Sequence, residues 1–369
     1  MSAHFSAIKK AFATAISLVS LIGCTSGSYT IECTFDDSFD GNKLLLYNLE
    51  ADDFKSSAID SAIIVSGKAF FSGKVEKEAL CMLLCENGEY LNLILEKGYI
   101  VVSIASDHEH FVLGGTPLNN ALAAYELQTD SINNAFADRY DEVFNNQSIS
   151  NDDRTEQINI LIDDFSRQSV ERAQKTIAAN RNNPLGQYAF WMDIAYNSRL
   201  SKAQYDKYLA EAGEYIASFP QIAMQTKRIA AADRTSAGSP FADVQFNDTT
   251  KLSDFLSDTR YTLVEVWTTN NSDCYRNTYF MRSIRKRYSP DELGMVSILT
   301  EALPNYEADS EEARAEWACA VDTKRSMRDV YGFQALPFMM LIAPDGTIVG
   351  RNIRSEALDL WIRTELKKE

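Results

Sequence analysis

Cys274 closes the run VEVWTTNNSDC, residues 264–274, where an apolar strand gives way to a short polar turn and then to a helix predicted over residues 272–288. A thiol at the start of a helix is a candidate nucleophile. The partial positive charge there stabilises the thiolate and draws its pKa below the ordinary value of about 8.5. Asp273 opposes that ionisation from one residue away, and Arg276 offsets part of the effect. Thiol-disulfide exchange also needs a second thiol to release the mixed disulfide, and this stretch holds no other cysteine. Cys274 therefore reads either as an inert, packed thiol or as a reactive one acting alone or with Cys319.

The remaining cysteines are Cys24, Cys33, Cys81 and Cys85. Cys81 and Cys85 share one predicted strand at a separation of roughly 13 Å, too far to bridge. Either is a candidate partner for Cys33 on a neighbouring strand, with buried free thiols as the alternative. Asp107-His108-Glu109-His110 contains two of the three histidines. Two alternating histidines without a third fixed ligand make a weak metal site, so a solvated turn is expected and no metal is assigned. No Gly-rich phosphate loop, haem attachment motif, zinc helix or nucleophile elbow occurs, and no cofactor is expected. A formal charge of −16 with no basic stripe argues against nucleic acid.

The elements that must position Cys274 belong to the last of several domains, since 369 residues with 45% apolar content are too many for one small core. Residues 29–115 alternate short strand-like runs with turns at Asp40-Gly41, Ser66-Gly67, Asn87-Gly88 and Lys97-Gly98, predicting an antiparallel β-sandwich or barrel. Residues 116–235 predict an all-α linker domain. It opens on Thr116 as N-cap with Pro117 behind it and breaks at Asn183-Pro184-Leu185-Gly186. Ile158, Leu161, Ile162, Phe165, Ala173 and Ile177 mark a buried face, and Tyr188, Phe190 and Trp191 read as core. From residue 236 strands over 263–267, 295–299, 338–342 and 348–351 alternate with helices over 272–288, 311–331 and 356–366. That order predicts an α/β domain with a mainly parallel sheet and an antiparallel hairpin at one edge.

The first 23 residues have the form of a secretory signal: His4, Lys9 and Lys10 precede an apolar run too short to span a bilayer. Leu21-Ile22-Gly23-Cys24 resembles a bacterial lipobox, which implies cleavage before Cys24, a lipid on that cysteine and a short stalk over 24–28. Loss of Lys9 and Lys10 takes the formal charge from −16 to −18. The protein is expected in the cell envelope, held to a membrane by its lipid. It is expected to face the periplasm, with the outer membrane favoured over the inner, because no acidic cluster follows Cys24.

Two resemblances add to this reading. Residues 29–113, through Asp60-Ser61-Ala62, Gly67-Lys68-Ala69-Phe70-Phe71-Ser72-Gly73, Leu95-Glu96-Lys97-Gly98 and the adjoining Gly115-Thr116-Pro117-Leu118-Asn119, resemble an N-terminal domain of unknown function of envelope lipoproteins from gram-negative gut anaerobes. Residues 236–369 resemble the thioredoxin-like domain of envelope-tethered thiol-disulfide oxidoreductases of the TlpA/ResA type. The match runs through Gly238-Ser239-Pro240-Phe241-Ala242-Asp243-Val244, Leu263-Val264-Glu265-Val266-Trp267, Tyr331-Gly332-Phe333-Gln334-Ala335-Leu336-Pro337 and Leu341-Ile342-Ala343-Pro344-Asp345-Gly346-Thr347. The resemblance places the attacking cysteine at Asn271, followed by Ser272 and Asp273, and the resolving cysteine at Cys274. It implies a cis-proline loop at Leu336-Pro337. An amide cannot attack a disulfide. Peroxidase chemistry is also disfavoured, because the family spacing puts Asn271 and Trp267 where Thr or Ser and Pro are required. Two functions follow: a binding or scaffold protein with a degenerate site that holds a protein or peptide partner, or a thiol-disulfide oxidoreductase working through Cys274 alone or with Cys319.

Overall fold

The computed structural model describes residues 27–50, 58–104, 111–258, 260–301, 316–353 and 358–366. Cys24, the residues before it and the Asp107–His110 stretch lie outside this set. The chain divides into two compact units, Met1–Ala223 and Met224–Glu369.

The first unit begins with eight strands: β1 (Ser28–Thr34), β2 (Lys43–Asn48), β3 (Ala58–Ile63), β4 (Lys68–Lys74), β5 (Ala79–Cys85), β6 (Tyr90–Leu95), β7 (Gly98–Ile104) and β8 (Phe111–Gly114). They form two four-stranded sheets, ordered β4-β1-β7-β8 and β3-β2-β5-β6. Tyr29, Ile31 and Cys33 alternate inward along β1, and Leu80, Leu83 and Cys85 are buried on β5. Pairing is not purely antiparallel as expected, because β1 runs parallel to β7. The candidate bond from Cys33 to Cys81 or Cys85 is absent. These cysteines sit on strands of different sheets and all three are buried thiols.

Helices follow: α1 (Pro117–Asn145), α2 (Asn151–Ala179), α3 (Pro184–Phe190), a π-helical turn over Trp191–Ala195, α4 (Lys202–Ala212), α5 (Glu214–Ala217) and α6 (Pro220–Arg234). Thr116 is the N-cap residue of α1, but its side chain makes no capping bond. That role passes to Glu96, whose Oε1 accepts from the backbone N–H of Leu118 at 2.8 Å and of Asn119 at 3.0 Å. Asn119, fully buried, returns to β6 by accepting from Ile94 N–H at 2.9 Å and donating to its carbonyl at 2.7 Å. The Leu95–Gly98 and Gly115–Asn119 motifs are thus one joint between sheet and helix.

The second unit carries β9 (Tyr261–Thr268), α7 (Ser272–Arg287), β10 (Leu293–Glu301), β11 (Ala318–Val321), α8 (Ser326–Tyr331), β12 (Phe338–Ile342), β13 (Ile348–Arg351) and α9 (Leu358–Leu366). The sheet order is β11-β10-β9-β12-β13. Every residue of β9 is buried, as a central strand covered on both faces requires. On one face Val264, Val266, Val296, Ile298, Phe338 and Met340 share a core. On the other, Leu263, Met295 and Leu341 pack with Met281 and Ile284 of α7 and Leu358 and Ile362 of α9.

Two expectations fail in this unit. The helix expected over 311–331 is replaced in its described part by β11 and the short α8. Helix-forming composition is overridden there by edge pairing to β10, with Val296 opposite Ala318 and Leu299 opposite Val321. The sheet is mixed rather than mainly parallel, since β12 runs antiparallel to β9 as well as to β13. At 1.5 Å per residue the six residues of α8 rise only about 9 Å, too little to carry the chain back along a full strand. β12 therefore starts beside the end of β9 where α7 begins, and that reversal brings Leu336-Pro337 to Asn271.

Candidate functional site

The site lies where β9 ends, α7 starts and the loop before β12 passes. Asn271 is the N-cap of α7 in extended backbone, with φ −132° and ψ 117°. Its Oδ1 accepts from the Asp273 N–H at 2.8 Å, satisfying one of the donors a helix start leaves open. Its Nδ2 donates to the Leu336 carbonyl at 3.1 Å. The Leu336–Pro337 peptide is cis. One amide thus ties the helix start to the proline loop, using a strong donor and a strong acceptor where a thiol would be weak in both respects.

Cys274 is fully buried, and its N–H bonds the Asn271 carbonyl at 3.1 Å in the first turn. It packs in the core with Trp267, Leu336 and Phe338. Trp267, 3% exposed, is core as well. Ser272 is exposed at the helix start. Asp273 is ion-paired with Arg276 on the solvent side, so the two charges weighed for their effect on Cys274 are spent largely on each other. Cys319 lies on β11 opposite Ser297, exposed, with its thiol 3.7 Å from the Trp317 carbonyl. Neither Cys274 nor Cys319 is in a disulfide.

Beneath the site lies a polar network that none of the sequence motifs reveals. Glu265, at the middle of β9, is fully buried. It accepts from Asn277 Nδ2 of α7 at 2.6 Å and from the Ser297 hydroxyl of β10. Trp317 Nε1 donates to that hydroxyl at 2.8 Å. A charged residue between Val264 and Val266 in an otherwise apolar strand was the available signal, since a buried carboxylate needs partners. The network fixes α7 against the sheet and so sets the height of Asn271 and Cys274.

The outer surface of α7 is aromatic. Tyr275, Tyr279 and Phe280 are 45%, 74% and 38% exposed, and the Tyr275 hydroxyl donates to the Thr269 carbonyl at 3.0 Å. Arg351, at the end of β13, lies over the Phe338 ring, 5.3 Å from its centroid. Its guanidinium donates to the carbonyls of Ala232 at 2.7 Å, Thr235 at 2.8 Å and Tyr331 at 2.7 Å. Among the described residues, no group of three metal-ligating side chains is disposed around a common point, and no helix is long and apolar enough to cross a membrane.

Residues 29–122 match the family model described as Domain of unknown function (DUF4369). No curated protein matches the chain. Similar solved structures include the thioredoxin domain of a thiol-disulfide oxidoreductase from Bacteroides vulgatus, at 20% identity over 36% of this chain and 98% of that one, with a TM-score of 0.30. A thiol:disulfide interchange protein from Bacteroides sp. is similar at 20% identity over 36% of this chain and 91% of that one, TM-score 0.30. A thioredoxin-like protein from Bacteroides caccae is similar at 15% identity over 60% of this chain and 87% of that one, TM-score 0.34. A DUF4369 domain is therefore present, and the structural neighbours are thioredoxin-like proteins.

Proposed function

We propose that this chain is a cell-envelope lipoprotein whose residues 236–369 form a thioredoxin-like domain of the TlpA/ResA type, without dithiol catalysis, that binds a protein or peptide partner. The observation that carries the reading is the state of the two key positions. Asn271 is committed to two hydrogen bonds at the helix start, and Cys274 is fully buried behind it. Neither presents a thiolate to an incoming disulfide. The exposed aromatic surface of α7 supplies the kind of side chains that anchor partners. The same proposal assigns residues 1–23 to a signal peptide, Cys24 to a lipid anchor in the outer membrane facing the periplasm, 24–28 to a stalk, 29–115 to a β domain and 116–235 to a helical linker domain.

Thiol-disulfide exchange through Cys274, alone or with Cys319, is the competing function, and one assay separates the two. Reduction of a model protein disulfide is measured for the purified chain and for Asn271→Cys. The wild type is expected to be inactive. Asn271→Cys is expected to gain activity, because cysteines at the N-cap and third helical positions stand within bridging distance. Wild-type turnover abolished by Cys274→Ser would overturn the proposal.

A further inference from the structure

Alongside its exposed rings, α7 gathers positive charge. Its 16 residues carry five cations, Arg276, Arg282, Arg285, Lys286 and Arg287, against one carboxylate, Asp273, in a chain whose formal charge is −16. Arg285 is turned to the backbone, donating to the carbonyls of Tyr288 at 3.1 Å and Leu293 at 3.0 Å, with Glu292 and Glu316 near it. The acids paired with the rest of the set are two. Asp273 pairs with Arg276, and Asp359 of α9 is shared between Arg287 and Arg363. Arg276, Lys286 and Arg287 are exposed and Arg282 is half-buried, so positive charge is in excess on this side of the helix.

Helical geometry puts Tyr275, Tyr279, Arg282 and Lys286 on one side of α7, away from the buried Cys274, Asn277, Met281 and Ile284. At 1.5 Å per residue the face from Tyr275 to Lys286 is about 16 Å long, the reach of about five residues of extended chain. It is ordered in advance, because the Tyr275 hydroxyl is tied to the Thr269 carbonyl and Asn277 fastens the helix to Glu265. A broad anionic surface, whether a lipid headgroup layer or a second copy of this chain, would meet the strongly acidic remainder of the molecule and be repelled. A narrow segment meets only the face. We propose that this face docks a short acidic segment of a partner protein, its apolar side chains on the Tyr275 and Tyr279 rings and its carboxylates facing Arg282 and Lys286; this rests on the partner-binding reading above and gives that partner its chemistry.

The test is fluorescence anisotropy of a labelled short peptide of glutamates interrupted by leucines, and of its counterpart with lysines for glutamates, each titrated with the full chain at low salt. The acidic peptide is expected to bind, with affinity falling as salt is added, and the basic one to bind at least about tenfold more weakly. Tyr279→Ser and Lys286→Glu change exposed side chains clear of the core, and each should weaken acidic-peptide binding about tenfold. Lys207→Glu, an equal change of net charge at an exposed position on α4, should leave it unchanged. The proposal is overturned if neither peptide binds, if the two bind alike, if either variant of the face binds as the wild type does, or if Lys207→Glu weakens binding as much. It is equally overturned if the wild type sediments as a dimer, or with phosphatidylglycerol vesicles, in a way that Tyr279→Ser abolishes. None of these variants alters Asn271 or Cys274, so disulfide reduction by the same proteins reports separately: no turnover with no peptide binding removes this docking site alone, whereas wild-type turnover lost in Cys274→Ser removes the reading beneath it.

Discussion

Replacing Asn271 with alanine tests whether the amide is a structural clamp rather than a passive remnant. The substitution removes the capping bond to Asp273 N–H and the bond to the Leu336 carbonyl. A lost N-cap costs about 1 kcal/mol and a lost side chain to backbone bond about 1 kcal/mol more, so Asn271→Ala should destabilise the second unit by about 2 kcal/mol. In a unit of this size that lowers the melting temperature by roughly 4–8 °C. Asn271→Ser keeps a capping oxygen but cannot span to Leu336, and should lose about half as much. Asn271→Asp keeps the cap, loses the donor and sets a carboxylate against the Leu336 carbonyl. It should therefore be less stable than the wild type despite the favourable helix end. Thermal unfolding gives the sizes, and hydrogen exchange over residues 268–280 gives the location. An Asn271→Ala variant within about 0.5 kcal/mol of the wild type, a change no larger than an ordinary surface substitution, refutes the clamp. An Asn271→Asp variant as stable as the wild type refutes the bond to Leu336.

Alkylation of the native chain at pH 8 should label Cys319 alone among the five described cysteines, and all five in denaturant, as read by intact mass. Burial pushes the Cys33 and Cys81 thiols up to about 12 from an ordinary value near 9.0. Both are raised, so the unfolded chain ionises first. Their contribution to stability is complete below about pH 9 and declines between pH 9 and 12, which a series of unfolding curves across that range would detect. Glu265→Ala removes the acceptor that takes the Asn277 amide and Ser297 hydroxyl bonds in the core and should cost about 3 kcal/mol by denaturant unfolding. Glu265→Gln can re-pair with both and should cost about 1 kcal/mol; equal losses for the two would show that the network is not what anchors α7.

Much of the architecture was legible in the amino-acid sequence because it rests on local signals. The apolar runs Phe338–Ile342 and Ile348–Arg351 could only be strands, since each is short and flanked by turn residues. The break read at Asn183-Pro184-Leu185-Gly186 does separate two helices, although the second, α3, starts already at Pro184, with Asn183 accepting from Leu185 N–H. The inability of residue 271 to attack a disulfide was equally a matter of residue type, fixed before any folding. Local signals misled where a partner strand decided the outcome. Residues 318–321 have helix-forming neighbours, yet pairing with β10 makes them a strand.

Tertiary structure alone decided what lies opposite what. Nothing near Thr116 in sequence indicates that Glu96 caps α1, nor that Asn271 reaches a carbonyl 65 residues away. The same holds for Arg172, whose buried contact with Asp193 exists only once the helices pack. Residue types and short-range periodicity determine which groups can react and which segments are strands or helices, because those depend on atoms within a few residues. Burial, hydrogen-bond partners and the occupancy of each donor depend on segments distant in the chain, and those are set only when the sheets and helices close around them.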